Sequence, residues 1–113
     1  MTVKMKAVIP MLTVANLEDT ITFYHDLLGF ECVGYVDDWA AMRNGETEVM
    51  ISLPNAHVPF EKPVFTGSLY FRPGNVDALW ELLHGKTTVV YPLENFFYGM
   101  REFAILDNNG LHA

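Results

Sequence analysis

At 113 residues, half of them hydrophobic, the chain has the size of one domain that buries a real core but not two independent ones. Fourteen acidic side chains against seven Lys and Arg give a formal charge of −7, which repels a phosphate backbone and excludes nucleic acid as an expected partner. Cys32 is the only cysteine, so neither an internal disulfide nor a thiolate metal cluster can form, and no apolar run approaches the about 18 residues of a membrane span.

Such acidity suits a cationic or neutral small molecule, and it is also the ordinary route to solubility. The N-terminus carries no long apolar run with a cleavage site, so a cytoplasmic protein is expected. Residues 5–14 read as a strand, with Pro10 marking an edge or a bulge. Asn16 is placed to cap a helix, Glu18 and Asp19 suit its first turn, and Leu17, Ile21, Tyr24 or Phe23, Leu27 and Leu28 form its apolar face. Gly29 ends it. Three strands are expected next, at residues 31–36, 39–43 and 46–53. Cys32 falls in the first of them, where a single cysteine is most often a small buried hydrophobe. Asn44-Gly45 signals a type I′ hairpin between the other two.

This β-α-β-β-β plan occupies residues 1–54, a proline-rich stretch without periodicity at 55–65 reads as a linker, and residues 66–113 repeat the plan. The second copy has a strand at 67–72 and a shorter helix opened by Asn75 or Gly74, containing Val76, Leu79, Trp80, Leu82 and Leu83 and ending at Gly85. A β-rich segment at 87–91, an aromatic loop at 92–99 and a strand at 101–106 follow. The turn Asp107-Asn108-Asn109-Gly110 precedes only Leu111, His112 and Ala113, so the last strand of the second module is expected to be truncated.

Each helix should cover one face of its short sheet, leaving the other for the second module or a second subunit. Counting by twos assigns the faces. Val49, Ile51 and Leu53 oppose Glu48, Met50 and Ser52, and Leu69 and Phe71 oppose Ser68, Tyr70 and Arg72. The more polar sets are expected to line a cleft, where Glu48, Met50, Ser52, Tyr70 and Arg72 share a concavity.

The run from Tyr98 to Gly110 resembles the closing signature of the glyoxalase, bleomycin-resistance and extradiol-dioxygenase superfamily, the vicinal oxygen chelate proteins. Phe23-Tyr24-His25-Asp26-Leu27-Leu28-Gly29-Phe30 resembles its other recurrent segment, and Asn75-Val76-Asp77-Ala78-Leu79-Trp80 is a third match. That resemblance implies an α+β fold in which two βαβββ modules form a cup-shaped mixed sheet, commonly completed by dimerisation. It also implies metal-ligand positions on four cleft-facing strands. These fall at Ile9, Ser52, Ser68 and just beyond Ala113, and none of the three present carries an imidazole or a carboxylate. No metal and no cofactor are therefore expected. Metal-free relatives include acidic dimers that sequester cationic bleomycin in aromatic-lined grooves, often with an aromatic-Gly-Arg-Glu-Phe-Ala run. Tyr98-Gly99 and Arg101-Glu102-Phe103-Ala104 resemble that run with Met100 inserted, which shifts the aromatic relative to the strand.

Several side chains carry two readings. Trp39 stacks on a ligand or packs the sheet, and Phe96, Phe97 and Tyr98 grip an apolar ligand, plug the cleft or form a dimer seam. Arg72 meets a ligand or pairs with Glu48 or Glu102, because an inward charge is costly alone. His25, His57 and His84 read as surface residues, whereas His112 points along the last strand toward the cleft. No Ser, His and acid arrangement and no glycine-rich nucleotide motif is present. The expectation is a metal-free homodimer that binds a small organic molecule, cationic or planar. Its alternatives are an atypical enzyme using Glu48, Glu102 or His112 as base, and a non-catalytic remnant or interaction protein.

Overall fold

The computed structural model describes residues 2–54 and 68–111, and the chain falls into two compact units, Met1–Lys62 and Pro63–Ala113. The fold is α+β, with a four-stranded mixed sheet, a two-stranded sheet and two helices.

In the first unit β1 (Met11–Thr13), α1 (Leu17–Asp26), β2 (Glu31–Val36), β3 (Trp39–Asn44) and β4 (Thr47–Ser52) follow one another. The sheet order is β1-β4-β3-β2, parallel between β1 and β4 and antiparallel elsewhere. The first strand is much shorter than the expected residues 5–14. Pro10 has no N–H for a ladder, so pairing stops there, although its carbonyl still accepts from Met50 N at 2.8 Å.

Asn16 caps α1 as its side chain predicts, accepting from Asp19 N at 2.9 Å, and Thr20 is buried with its hydroxyl donating to Asn16 O at 2.8 Å. Between the two aromatics left open by the helix pattern, Tyr24 is the buried one, edge-on to Phe30 at 5.7 Å. Gly29 at φ 73° then turns the chain, and Phe30 N donates back to Tyr24 O at 2.9 Å, satisfying a carbonyl at the end of the helix. The β3–β4 turn differs by one residue from expectation. Asn44 pairs with Thr47, so Gly45 and Glu46 are the central residues, and only Gly45 has positive φ (60°), as a type II′ turn requires rather than I′. Cys32 is exposed, not buried, because β2 is an edge strand with a register shift between Cys32 and Gly34. The core lies between α1 and the face formed by Leu12, Ala40, Met42, Val49 and Ile51.

In the second unit α2 (Val76–Leu83) packs on β6 (Arg101–Leu106), which pairs antiparallel with β5 (Thr88–Asn95). Asn75 caps α2, accepting from Ala78 N at 3.0 Å. Residues 68–71 keep the expected alternation, Leu69 buried and Tyr70 exposed, yet they form no strand. Their first-unit counterpart β1 has β4 as its sole neighbour, and among the described residues no strand follows β6 to play that part. Another departure is β5, which runs past Tyr91 and through Pro92 to Asn95 instead of giving way to a loop. Register shifts on either side of Tyr91 absorb the proline's missing donor. The aromatic segment is thereby reduced to a tight turn, with Phe96 N bonded to Met100 O at 2.8 Å and Gly99 at φ 82°. Asp107 is buried, and its carboxylate accepts from Asn109 N at 2.8 Å and Leu111 N at 3.0 Å. The expectations for residues 55–65, His57 and His112 lie outside the described residues.

Candidate functional site

Alternation along β6 sends its side chains to two faces. Phe103 meets Trp80 of α2 at 5.1 Å, and Arg101 reaches Asp77 of α2 through Nε at 3.0 Å and Nη2 at 2.8 Å. Glu102 therefore lies on the face away from α2. On that face it receives three phenols. Tyr91 donates to Oε2 at 2.6 Å, while Tyr98 donates to Oε1 at 2.6 Å and Tyr70 to the same oxygen at 3.2 Å. Tyr91 comes from β5, Tyr98 from the β5–β6 turn and Tyr70 from the irregular segment before α2. Aromatic contacts extend the cluster. Phe96 is edge-on to Tyr91 at 5.4 Å and stacked on Tyr98 at 5.5 Å, and Phe97, at 99% exposure, meets Tyr98 edge-on at 5.2 Å.

The bonds set the charge of the cluster. Hydrogen bonding from Tyr91 and then Tyr98 holds the Glu102 carboxyl below its usual value, and the bond to Glu102 pushes the Tyr91 and Tyr98 phenols up to about 12. Burial, ahead of the Glu102 charge, raises Tyr70. At neutral pH the cluster is thus one carboxylate under three neutral phenols, with Glu94 directly across the ladder from Glu102 adding a second negative charge. Each phenol spends its only proton on Glu102, so its oxygen offers the surroundings lone pairs alone. Acceptor oxygens, ring faces and a retained negative charge suit a cation and repel an anion. As a general base Glu102 is poorly tuned, because its lowered pKa moves it further from neutral.

In the first unit, the β3–β4 register puts Trp39 beside Ser52, Ala41 beside Met50 and Arg43 beside Glu48, on the face away from α1. Glu48, Met50 and Ser52 share a face as parity predicts. Glu48 accepts from Arg43 Nη2 at 2.7 Å, so its charge is compensated within its own hairpin. The Trp39 ring lies over Gly34, where a Cβ would stand 3.3 Å from it. That leaves the ring half-buried on its own sheet.

Within the second unit Arg72 does not pair with Glu102: Glu102 takes phenols, and exposed Arg72 forms no ion pair there among the described residues. Glu48 takes Arg43 within its own hairpin. Met100 does not carry Tyr98 away from the strand, since its hydroxyl reaches Glu102. Tyr91, Glu94 and Arg43 were not singled out in the sequence. Tyr91 and Glu94 are three residues apart, so alternation alone would separate them; the register shift between them in β5 brings both to the Glu102 side, and parity does not foretell it. For a metal, Ile9 offers no donor, and the hydroxyls of Ser52 and exposed Ser68 are weak ones, so these residues do not fit the group. Among the described residues no three His, Cys, Asp or Glu side chains gather as a ligand set.

The sequence profile of the Glyoxalase/Bleomycin resistance protein/Dioxygenase superfamily matches residues 7–112. The chain belongs to this superfamily. No curated protein matches it. Among solved structures, a protein of unknown function from Agrobacterium tumefaciens str. C58 superimposes with a TM-score of 0.82 at 21% identity, over 98% of this chain and 92% of that one. The bleomycin-binding protein of bleomycin-producing Streptomyces verticillus, complexed with copper(II)-bleomycin, gives 0.72 at 26% identity over 98% and 94%. A lactoylglutathione lyase from Agrobacterium tumefaciens gives 0.70 at 18% identity over 95% and 90%. A bleomycin-binding protein and a lactoylglutathione lyase thus share this fold, and the fold alone does not select between them.

Proposed function

We propose that this chain is a metal-free small-molecule binding protein of the bleomycin-resistance type, which sequesters a cationic, planar organic compound without turning it over. The observation that carries the reading is Glu102, ionised and surrounded by the phenols of Tyr70, Tyr91 and Tyr98 with Phe96 and Phe97 beside them. The carboxylate discriminates for charge and the rings supply contact area. Trp39, Met50 and Ser52 form a separate candidate contact surface on the first unit, and Ser68 and Arg72 flank Tyr70 in the second. In this reading the protein is a cytoplasmic homodimer. Among the described residues no helix is long and apolar enough to cross a membrane. Glu102 acts as a fixed charge and not as a base, in keeping with its lowered pKa.

The test is titration calorimetry with metal-free bleomycin and the planar cationic dye acriflavine, each beside a neutral aromatic of similar size. Saturable binding of at least one cation is expected, with Glu102→Gln weakening it by about tenfold or more, the scale of a lost charge-assisted contact. Equal binding of neutral and cationic compounds, or metal-dependent turnover of a dicarbonyl–glutathione adduct, overturns the reading.

A further inference from the structure

The three phenols are not equivalent in how they are held. Tyr91 sits on β5, in register with Ala104 of β6, and Tyr98 sits in the turn closed by the Phe96 N–Met100 O and Gly99 N–Phe96 O bonds. Both belong to the hairpin that carries Glu102. Tyr70 instead reaches Glu102 from 32 residues away in the chain, from outside the β5–β6 hairpin, and is 55% exposed. Its bond is also the weak one. Tyr91 and Tyr98 bond at 2.6 Å, within the range of about 2.5–2.7 Å for a hydroxyl on a carboxylate, and Tyr70 at 3.2 Å lies outside it. Oε1 carries two donors and Oε2 one, so removing Tyr70 leaves each oxygen with a single short bond.

Resting on the cation-binding reading, we infer that Tyr70 is the exchangeable donor of the cluster: an N–H of a cationic ligand takes its place on Oε1 of Glu102 while Tyr91 and Tyr98 keep the carboxylate in position. The exchange defines the ligand class. Only a cation bearing N–H donors, an amidinium, guanidinium or protonated amine, can take over the bond that Tyr70 gives up. A quaternary ammonium has no proton to offer and meets the rings alone. The displaced Tyr70 phenol then turns its proton to water or to the ligand, so the exchange conserves the number of hydrogen bonds.

Benzamidine and phenyltrimethylammonium, two aromatic cations with and without N–H, serve as calorimetric probes of the wild-type protein and of Tyr70→Phe, Tyr91→Phe and Glu102→Gln. Tyr70→Phe removes the competing donor and is expected to bind benzamidine about twofold to tenfold more tightly, the worth of one net hydrogen bond, with phenyltrimethylammonium unchanged. Tyr91→Phe, which loosens the carboxylate, is expected to weaken benzamidine. Weaker or unchanged benzamidine binding by Tyr70→Phe, with Glu102→Gln still deficient, overturns the exchange and leaves the cation reading standing. Absence of benzamidine binding by the wild-type protein, or full binding by Glu102→Gln, overturns the cation reading itself. A thermal midpoint of Tyr70→Phe close to wild type shows that the variant is folded.

Discussion

In the first unit the segment that leads into the helix is held by backbone. β1 pairs in parallel with β4, Met11 with Met50 and Thr13 with Ser52, and such a ladder accepts almost any side chain. In the second unit side chains of the equivalent segment make its described contacts, Leu69 in the core and Tyr70 on Glu102. The carboxylates differ in the same way. Glu48 is paired with Arg43 directly across its hairpin, whereas Glu102 keeps its charge under neutral donors. The first unit compensates this carboxylate within its hairpin, whereas the second presents a negative centre with a half-exposed phenol on it.

The largest test of this contrast concerns the cores. Ile51 and Ile105 are both buried on the helix-facing sides of their sheets, and each change to Ala is expected to cost about 2–5 kcal/mol in urea unfolding. Ile51 belongs to the larger buried cluster, so its loss is expected to be the greater. A larger cost at Ile105 would break the ranking of the two units.

The phenol cluster sharpens the comparison through its titration. Phenolate absorbance should show Tyr91 and Tyr98 ionising near about 12, and Glu102→Gln should return them toward 10.0. The linkage signs follow from these directions. The native Glu102 value lies below its ordinary 4.5, so its contribution to stability is full above that value and is lost as pH falls through the lowered one. Tyr91 and Tyr98 lie above 10.0, so theirs is full below pH 10.0 and is lost as pH rises through about 12. Unfolding midpoints measured across pH should show wild type losing an advantage over Glu102→Gln at both ends. A constant difference would remove the cluster from the stability of the second unit.

The smallest effect tests where the units agree. Asn16 and Asn75 cap their helices at 2.9 and 3.0 Å, and replacing either with Ala is expected to cost about 1 kcal/mol by chemical unfolding. Markedly unequal costs would show that the shared helix entry is not equally stabilising in the two units.

Much of this organisation was readable residue by residue. Asn16 and Asn75 announce helix starts because a short polar side chain bonds an amide three positions on, and Gly29 announces a stop because it accepts positive φ. Period-two counting put Glu48, Met50 and Ser52 on one face. The partners of those residues were not readable in the same way. Arg72 looked the natural companion for a carboxylate, but Arg43 is delivered to Glu48 by the hairpin register, and Tyr91 is delivered to Glu102 by the shifted register of β5 on β6.

What the sequence determined by itself is therefore local: helix caps, turn glycines, strand parity, an acidic surface and, through its resemblance, superfamily membership. These depend on interactions spanning a few residues, or on patterns that survive without knowledge of any partner. Only the tertiary structure decided that Trp39 would settle on Gly34, and that three phenols from separate segments would meet one carboxylate. Those outcomes depend on which strands pair and in what register, and that choice is made by contacts far apart in the chain.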